Sequence, residues 1–185
     1  MSSPSGKFIP PEFIPRIEKF LDKLISREID EAKFIGLIEA LIRPALMWSN
    51  GDPELRAALE RQCKLLSGVR MWINAKGQNP IIIEVTELPE LLKFHLASKD
   101  EVKKLDIPGV SYDPLLLKDA LAGKFNPFIA LASGRIAITG LTELVKIGAP
   151  LFTALKPFRE KENVIGELRR EVLSALDKLL VETGC

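Results

Sequence analysis

The hydrophobic period of this chain changes twice, and that change limits the folds open to it. Ile14, Ile17, Phe20, Leu21 and Leu24 recur at helical spacing, with charges between them. Asp30 stands as an N-cap before a second helical pattern through Phe34, Ile35, Ile38, Leu41 and Ile42, which Pro44 should kink or end. Asp52-Pro53 supplies a cap and a first-turn proline for a third helix over roughly 53–67. At Val69 the period drops to two. Val69, Met71 and Ile73 alternate with Arg70, Trp72 and Asn74, and after the turn at Lys76–Pro80 comes the β-branched run Ile81–Glu87. Leu92, Phe94 and Leu96 then alternate with Lys93, His95 and Ala97. Three strands in succession, joined by short connections, should pair antiparallel.

Beyond them the pattern mixes. A polar connection, Lys99–Lys104, leads to a short apolar piece, Gly109–Asp113. A helix is predicted over Pro114–Ala122 with Gly123 as its C-terminal joint, and a second, short one opens at Pro127. "RIAITG" reads as a strand with Ile136 and Ile138 on one face. The apolar segment Leu141–Phe158 reads as helical with a break at Gly148–Pro150. A long amphipathic helix over about 160–182 carries the stripe Ile165, Leu168, Val172, Leu176 and Leu179. Helices, then strands, then helix–strand–helix make an α+β protein.

Composition excludes more than it selects. With 26 basic and 25 acidic residues the formal net charge is +1, which supports no nucleic-acid footprint. No apolar run reaches the ~20 residues of a membrane span, and prolines and charges interrupt the first residues, so the sequence reads as a cytoplasmic protein without a signal peptide. The two cysteines form no CxxC. Cys63 falls in helical step with Leu55, Leu59 and Leu66, the place of a buried, inert thiol.

The glycine-rich stretch "GKFNPFIALASGRIAITG" invites a phosphate-binding reading, which fails on its own terms. A P-loop needs a strand, then glycines, then Lys-Ser/Thr opening a helix. Here Lys124 is followed by Phe125, and Gly123 ends a helix. The single histidine, His95, shares its strand face with Lys93 and faces solvent; Ser133 sits in no nucleophile elbow, and no His/Cys cluster offers a metal site. No catalytic residue, cofactor or metal is expected. Gly123, Gly134 and Gly140 read instead as joints between helix, strand and helix.

Helix, then Gly-basic-x-x-Pro, a short apolar helix, a small-Gly-basic strand ending in Gly, and a leucine-rich helix form an ordered set. In this sequence it is carried by Leu117, Asp119, Leu121, Gly123, Lys124, Pro127, Ala130, Ser133-Gly134-Arg135, Ile136, Ile138, Gly140 and Leu144. The arrangement resembles the sterol carrier protein type-two family of lipid-binding domains, over about Val69–Phe158. That resemblance implies a curved, mainly antiparallel five-stranded sheet covered on one face by helices, with an added N-terminal helical segment and a long C-terminal helix. It implies a hydrophobic tunnel for a fatty acid, acyl-CoA, isoprenoid or sterol-like ligand, and no catalysis. The expected lining is Leu117, Leu121, Phe125, Phe128, Leu131, Ile136, Ile138, Leu144, Ile147, Leu151 and Phe152, with Lys124, Arg135 or Lys146 meeting a headgroup. The chain departs from the family at Leu88–Gly109, longer than the family's glycine-turned hairpin, and in the added block Glu12–Leu46, for which plugging the tunnel, pairing two chains and docking a partner all stay open.

The implied organisation is a tail and helical extension over 1–52, a sterol-carrier-like domain over 53–158, and an amphipathic helix over 159–185 that packs on the domain or on a partner. Fourteen buried methylenes would contribute about 11 kcal/mol gross, so an apolar cavity needs no polar anchor. The rival expectation is a non-catalytic accessory subunit of a lipid- or quinone-metabolising complex, its pocket collapsed. Homodimerisation through the N- or C-terminal helices and transient membrane contact are both compatible with the sequence. From the sequence, Leu144→Asp or Phe152→Asp should abolish lipid uptake by the folded protein, read by native mass spectrometry.

Overall fold

The computed structural model describes residues 9–30, 33, 35, 39, 52–87, 90–155 and 162–185, with the backbone alone at 151, 152, 154, 155, 162–165, 167 and 168. Among these residues it is an α+β fold of seven helices and five strands. A 3-10 turn at Pro11–Phe13 leads into α1 (Ile14–Ile25), followed by α2 (Pro53–Leu66). The strands β1 (Arg70–Ala75), β2 (Ile81–Val85) and β3 (Leu92–Leu96) come next. Then follow α3 (Lys99–Leu105), β4 (Gly109–Tyr112), α4 (Leu115–Leu121), α5 (Pro127–Ala132), β5 (Ile136–Thr139), α6 (Leu141–Leu155) and α7 (Glu162–Glu182).

The strands form one open sheet in the order β3-β2-β1-β4-β5. β1–β2 and β2–β3 pair antiparallel, as their short connections require, and so do β4 and β5. The β1–β4 ladder is parallel, pairing Ile73 with Val110 and Ala75 with Tyr112. Register sorts the side chains into two faces. One row, Leu96–Ile81–Ile73–Val110–Ile138, crosses all five strands on one face, with Tyr112 and Ile136 paired beside it. The row His95–Ile82–Trp72–Gly109–Thr139 crosses on the other, and His95 is exposed there as expected.

Two expectations need correction. The polar connection Lys99–Lys104 is helix α3, because Ser98 and Glu101 close a capping box. Ser98 Oγ accepts from the Glu101 amide at 3.1 Å, and Glu101 Oε2 accepts from the Ser98 amide at 3.4 Å. One buried residue, Val102, anchors it. The second correction is at Gly148–Pro150, where α6 runs through without a break. Proline forfeits its own hydrogen bond to the Lys146 carbonyl and crowds that carbonyl with its ring, and the helix continues past both. Lys146 and Gly148 lie on an exposed side of the helix where water can serve that group. The predicted joints hold: Gly123, Gly134 and Gly140 have φ of 68°, 68° and 66°. Asp30 caps as predicted, its Oδ1 accepting from the Lys33 amide at 2.8 Å; the body of that second helix, including Pro44, lies outside the described residues.

The core is divided. A helical cluster gathers Ile17, Phe20, Leu21 and Leu24 of α1 with Leu179 and Leu180 of α7 and Ile29. Leu66, Val85 and Ile147 join α2, β2 and α6. Ile82, Ala97 and Val102 pack with Trp72 and Ile107 beneath α3, on the His95 face. In this last cluster the Trp72 indole lies against Gly109, and its Nε1 donates to the Ile107 carbonyl at 3.1 Å. A Cβ on Gly109 would stand 2.2 Å from the ring. Gly109→Ala should therefore destabilise the protein by about 3 kcal/mol, the upper range for overpacking, measured by denaturant unfolding with Trp72 emission as one reporter.

Candidate functional site

Between the helical cluster and the sheet lies an apolar pocket of about 440 Å³. Ile17, Phe20, Leu21 and Leu24 of α1 line it, with Leu117 of α4, Leu176 and Leu179 of α7, and Ile73, Val110 and Tyr112 of the sheet. The spacing of the α1 residues puts all four on one side of that helix. Ile73 and Val110 are adjacent members of the row that crosses the sheet, and Tyr112 neighbours them on β4. The helical residues pack against one another in a cluster that contains none of the three sheet residues, so the two layers face each other across the space.

Helix α1 is held in place by its margins. Gln78 Nε2, in the β1–β2 turn, donates to the Leu24 carbonyl at 3.2 Å, and Arg27 donates to the Gly77 carbonyl. Lys118 of α4 pairs with Asp22. Along α7, Arg16 pairs with Asp177 at 2.6 Å, Lys23 donates to the Thr183 carbonyl at 2.6 Å, and Lys19 to the Gly184 carbonyl at 2.9 Å. Cations at the C-terminal end of a helix satisfy its last carbonyls and oppose its dipole. These bonds are partly exposed, so their contribution is orientation more than stability.

No lining residue is charged. The chemistry available is therefore burial of an apolar body, with any charged headgroup left outside. Tyr112 brings the one polar side chain. Burial pushes its phenol above the ordinary value, and its hydroxyl has no hydrogen-bond partner among the described residues. Among the described residues no group of His, Cys, Asp and Glu is arranged to hold a metal, and no helix is long and apolar enough to cross a membrane. Cys63 is 1% exposed, and desolvation raises its thiol pKa, as an inert core thiol requires.

Of the eleven lining residues expected from the sequence, Leu117 lines the pocket and Leu121 packs on the helical cluster behind it. Ile136 and Ile138 lie on the pocket's side of the sheet but on its β5 edge, with Ile138 36% exposed. Ile147 belongs to the α2–β2–α6 cluster, and Leu144 is half-buried on the same helix. Phe125, Phe128 and Leu131 are exposed. The side chains of Leu151 and Phe152 lie outside the described residues. Arg135 is engaged by Asp119 at 2.7 Å and Asp113 at 3.1 Å, and these hydrogen bonds raise its pKa further. Two of the residues that carry the resemblance, Asp119 and Arg135, thus join α4 to the start of β5. Sequence reasoning passed over the α1 and α7 contributions. The signal was present as two apolar stripes, one in an added block with plugging of the tunnel among its open roles, the other on a helix expected to pack on the domain or a partner; neither was assigned to the lining.

The chain matches no protein-family model and no curated protein. Tyr112 is the sole tyrosine of the chain, which makes the pocket directly observable. An ultraviolet titration should show one phenol ionising above its usual value near 10. The folded state then keeps a proton that the unfolded chain gives up, so this contribution to stability is present below about pH 10 and lost as pH rises through the folded value. Tyr112→Phe should remove that portion of the alkaline loss.

Proposed function

We propose that the protein binds an apolar small molecule of lipid type and holds it between sheet and helices without chemistry of its own. The observation that carries this reading is the uncharged pocket of about 440 Å³ between two layers that do not share a core cluster. Its size falls within the ~300–1,000 Å³ range of small-molecule sites. Its lining is almost wholly apolar, so an apolar guest gains by displacing water from it. The resemblance to the sterol carrier protein type-two family supports the same ligand class, an acyl chain or isoprenoid. The α1 helix, expected as part of an added block whose open roles included plugging the tunnel, becomes in this reading the roof of the site.

The test separates this pocket from the one expected from sequence. Val110→Phe places an aromatic ring in the space from the sheet side. It should cut fatty-acid uptake at least tenfold while leaving the melting temperature unchanged or higher, because it fills a void. Leu144→Asp, away from the pocket, should leave uptake intact in the folded protein. The reverse pattern would put the ligand under α6. A wild-type protein that stays free of ligand after incubation with fatty acid, acyl-CoA and isoprenoid, by native mass spectrometry, would defeat lipid binding altogether and favour the accessory-subunit reading.

A further inference from the structure

Helix α5 turns its large apolar side chains away from the core. Its six residues are all apolar, and the one it buries is the smallest, Ala130, at 2% exposure. The large ones face outward, with Phe128 81% exposed, Ile129 65% and Leu131 42%, and Phe125 just before them at 42%. The segment is nonetheless firmly built. Asn126 Oδ1 accepts from the Phe128 and Ile129 amides at 3.0 and 3.2 Å, Pro127 opens the helix, and Ser133 Oγ donates to the Ala130 carbonyl at 3.3 Å. A contiguous exposed apolar patch of this kind marks an interaction surface.

The charges around it select the partner. Lys124 precedes the helix, is exposed, and forms no ion pair among the described residues. At the other end the Lys76 ammonium sits on the Gly134 carbonyl. No Asp or Glu occurs from Ala120 to Thr142, and the nearby carboxylates of Asp113 and Asp119 are both spent on Arg135. Bulky apolar side chains between two cations, with no free carboxylate among them, fit the boundary between anionic headgroups and acyl chains. A second copy of this patch would instead bring the same two cations against each other. We propose that α5 is the foot by which this protein docks reversibly on an anionic membrane surface. Docking does not require the pocket to be occupied.

Vesicle flotation tests this, with vesicles of equal phosphatidylcholine and phosphatidylglycerol set against phosphatidylcholine alone. The wild-type protein should bind the anionic vesicles and lose binding as salt rises. Phe128→Ser with Ile129→Ser should reduce binding more than tenfold with an unchanged melting temperature, since both positions are exposed. Lys124→Glu should weaken binding to the anionic vesicles only. Fatty-acid uptake from solution is measured on the same proteins: retained uptake with lost flotation separates the foot from the pocket. The assignment is overturned if the wild-type protein does not float, or if the double variant floats as well. It is equally overturned if the double variant loses uptake from solution, which would return Phe128 to the ligand site. A concentration-dependent mass by light scattering that the double variant abolishes, without vesicle binding, would make the patch a self-association face.

Discussion

The structure depends on how α1 lies over the sheet without fusing to it. Its four buried side chains find their partners in α7 and α4, each burial being worth about 2 kcal/mol, while Ile73, Val110 and Tyr112 stand opposite. Close-packed interiors ordinarily merge such layers. Here the margins orient the helix: the β1–β2 turn holds one end of α1 through Gln78 and Arg27, and Thr183 and Gly184, just beyond α7, offer their carbonyls to Lys23 and Lys19. Tied at its edges by these partly exposed bonds and packed on α4 and α7, α1 lies along the sheet without sharing a core cluster with it.

The sheet tolerates that gap because it is secured elsewhere. Its other face carries its own small core, in which Trp72 lies over Gly109 and Ile82 is fully buried under α3. Toward β2, Val85 meets Leu66 and Ile147. Each region of strand near the pocket thus has packing that does not involve the pocket. Division of the core into three clusters leaves room for a cavity without leaving the strands unsupported.

Local elements were legible where one physical rule acts over a few residues. The period-two run at Arg70–Ala75, the β-branched run at Ile81–Val85, the Asp52 cap and the glycine joints at positive φ all came from near neighbours. Helix α3 was legible too, through Ser98 and Glu101, but its density of charge masked the capping box. What was not legible is non-local. Nothing near β1 announces a parallel partner some 37 residues on, at the Ile73–Val110 pair. Likewise the apolar stripe of α1 states that it will be buried, not that its partners include Leu179 and Leu180. The motif that suggested a lipid carrier contained an ion pair, Asp119–Arg135, whose role here is to join α4 to β5. The resemblance points to a pocket within Leu117–Phe152, whereas the pocket's walls come mainly from outside that stretch.

The latch between α1 and α7 spans about the whole length of the described chain, with Arg16 and Asp177 separated by 161 positions and Lys23 and Thr183 by 160. The β1–β2 hairpin closes over a handful of residues. Loop-closure entropy orders these events: short-range pairings form early, and contacts of this separation form late. The roof is accordingly an element whose bonds are partly exposed and whose formation waits on both ends of the described chain. In equilibrium terms it belongs among the regions that open at lower free energy than the sheet. Access to the pocket then needs no hinge within a helix: α1 can be released from α7 while the hairpins beneath it stay paired.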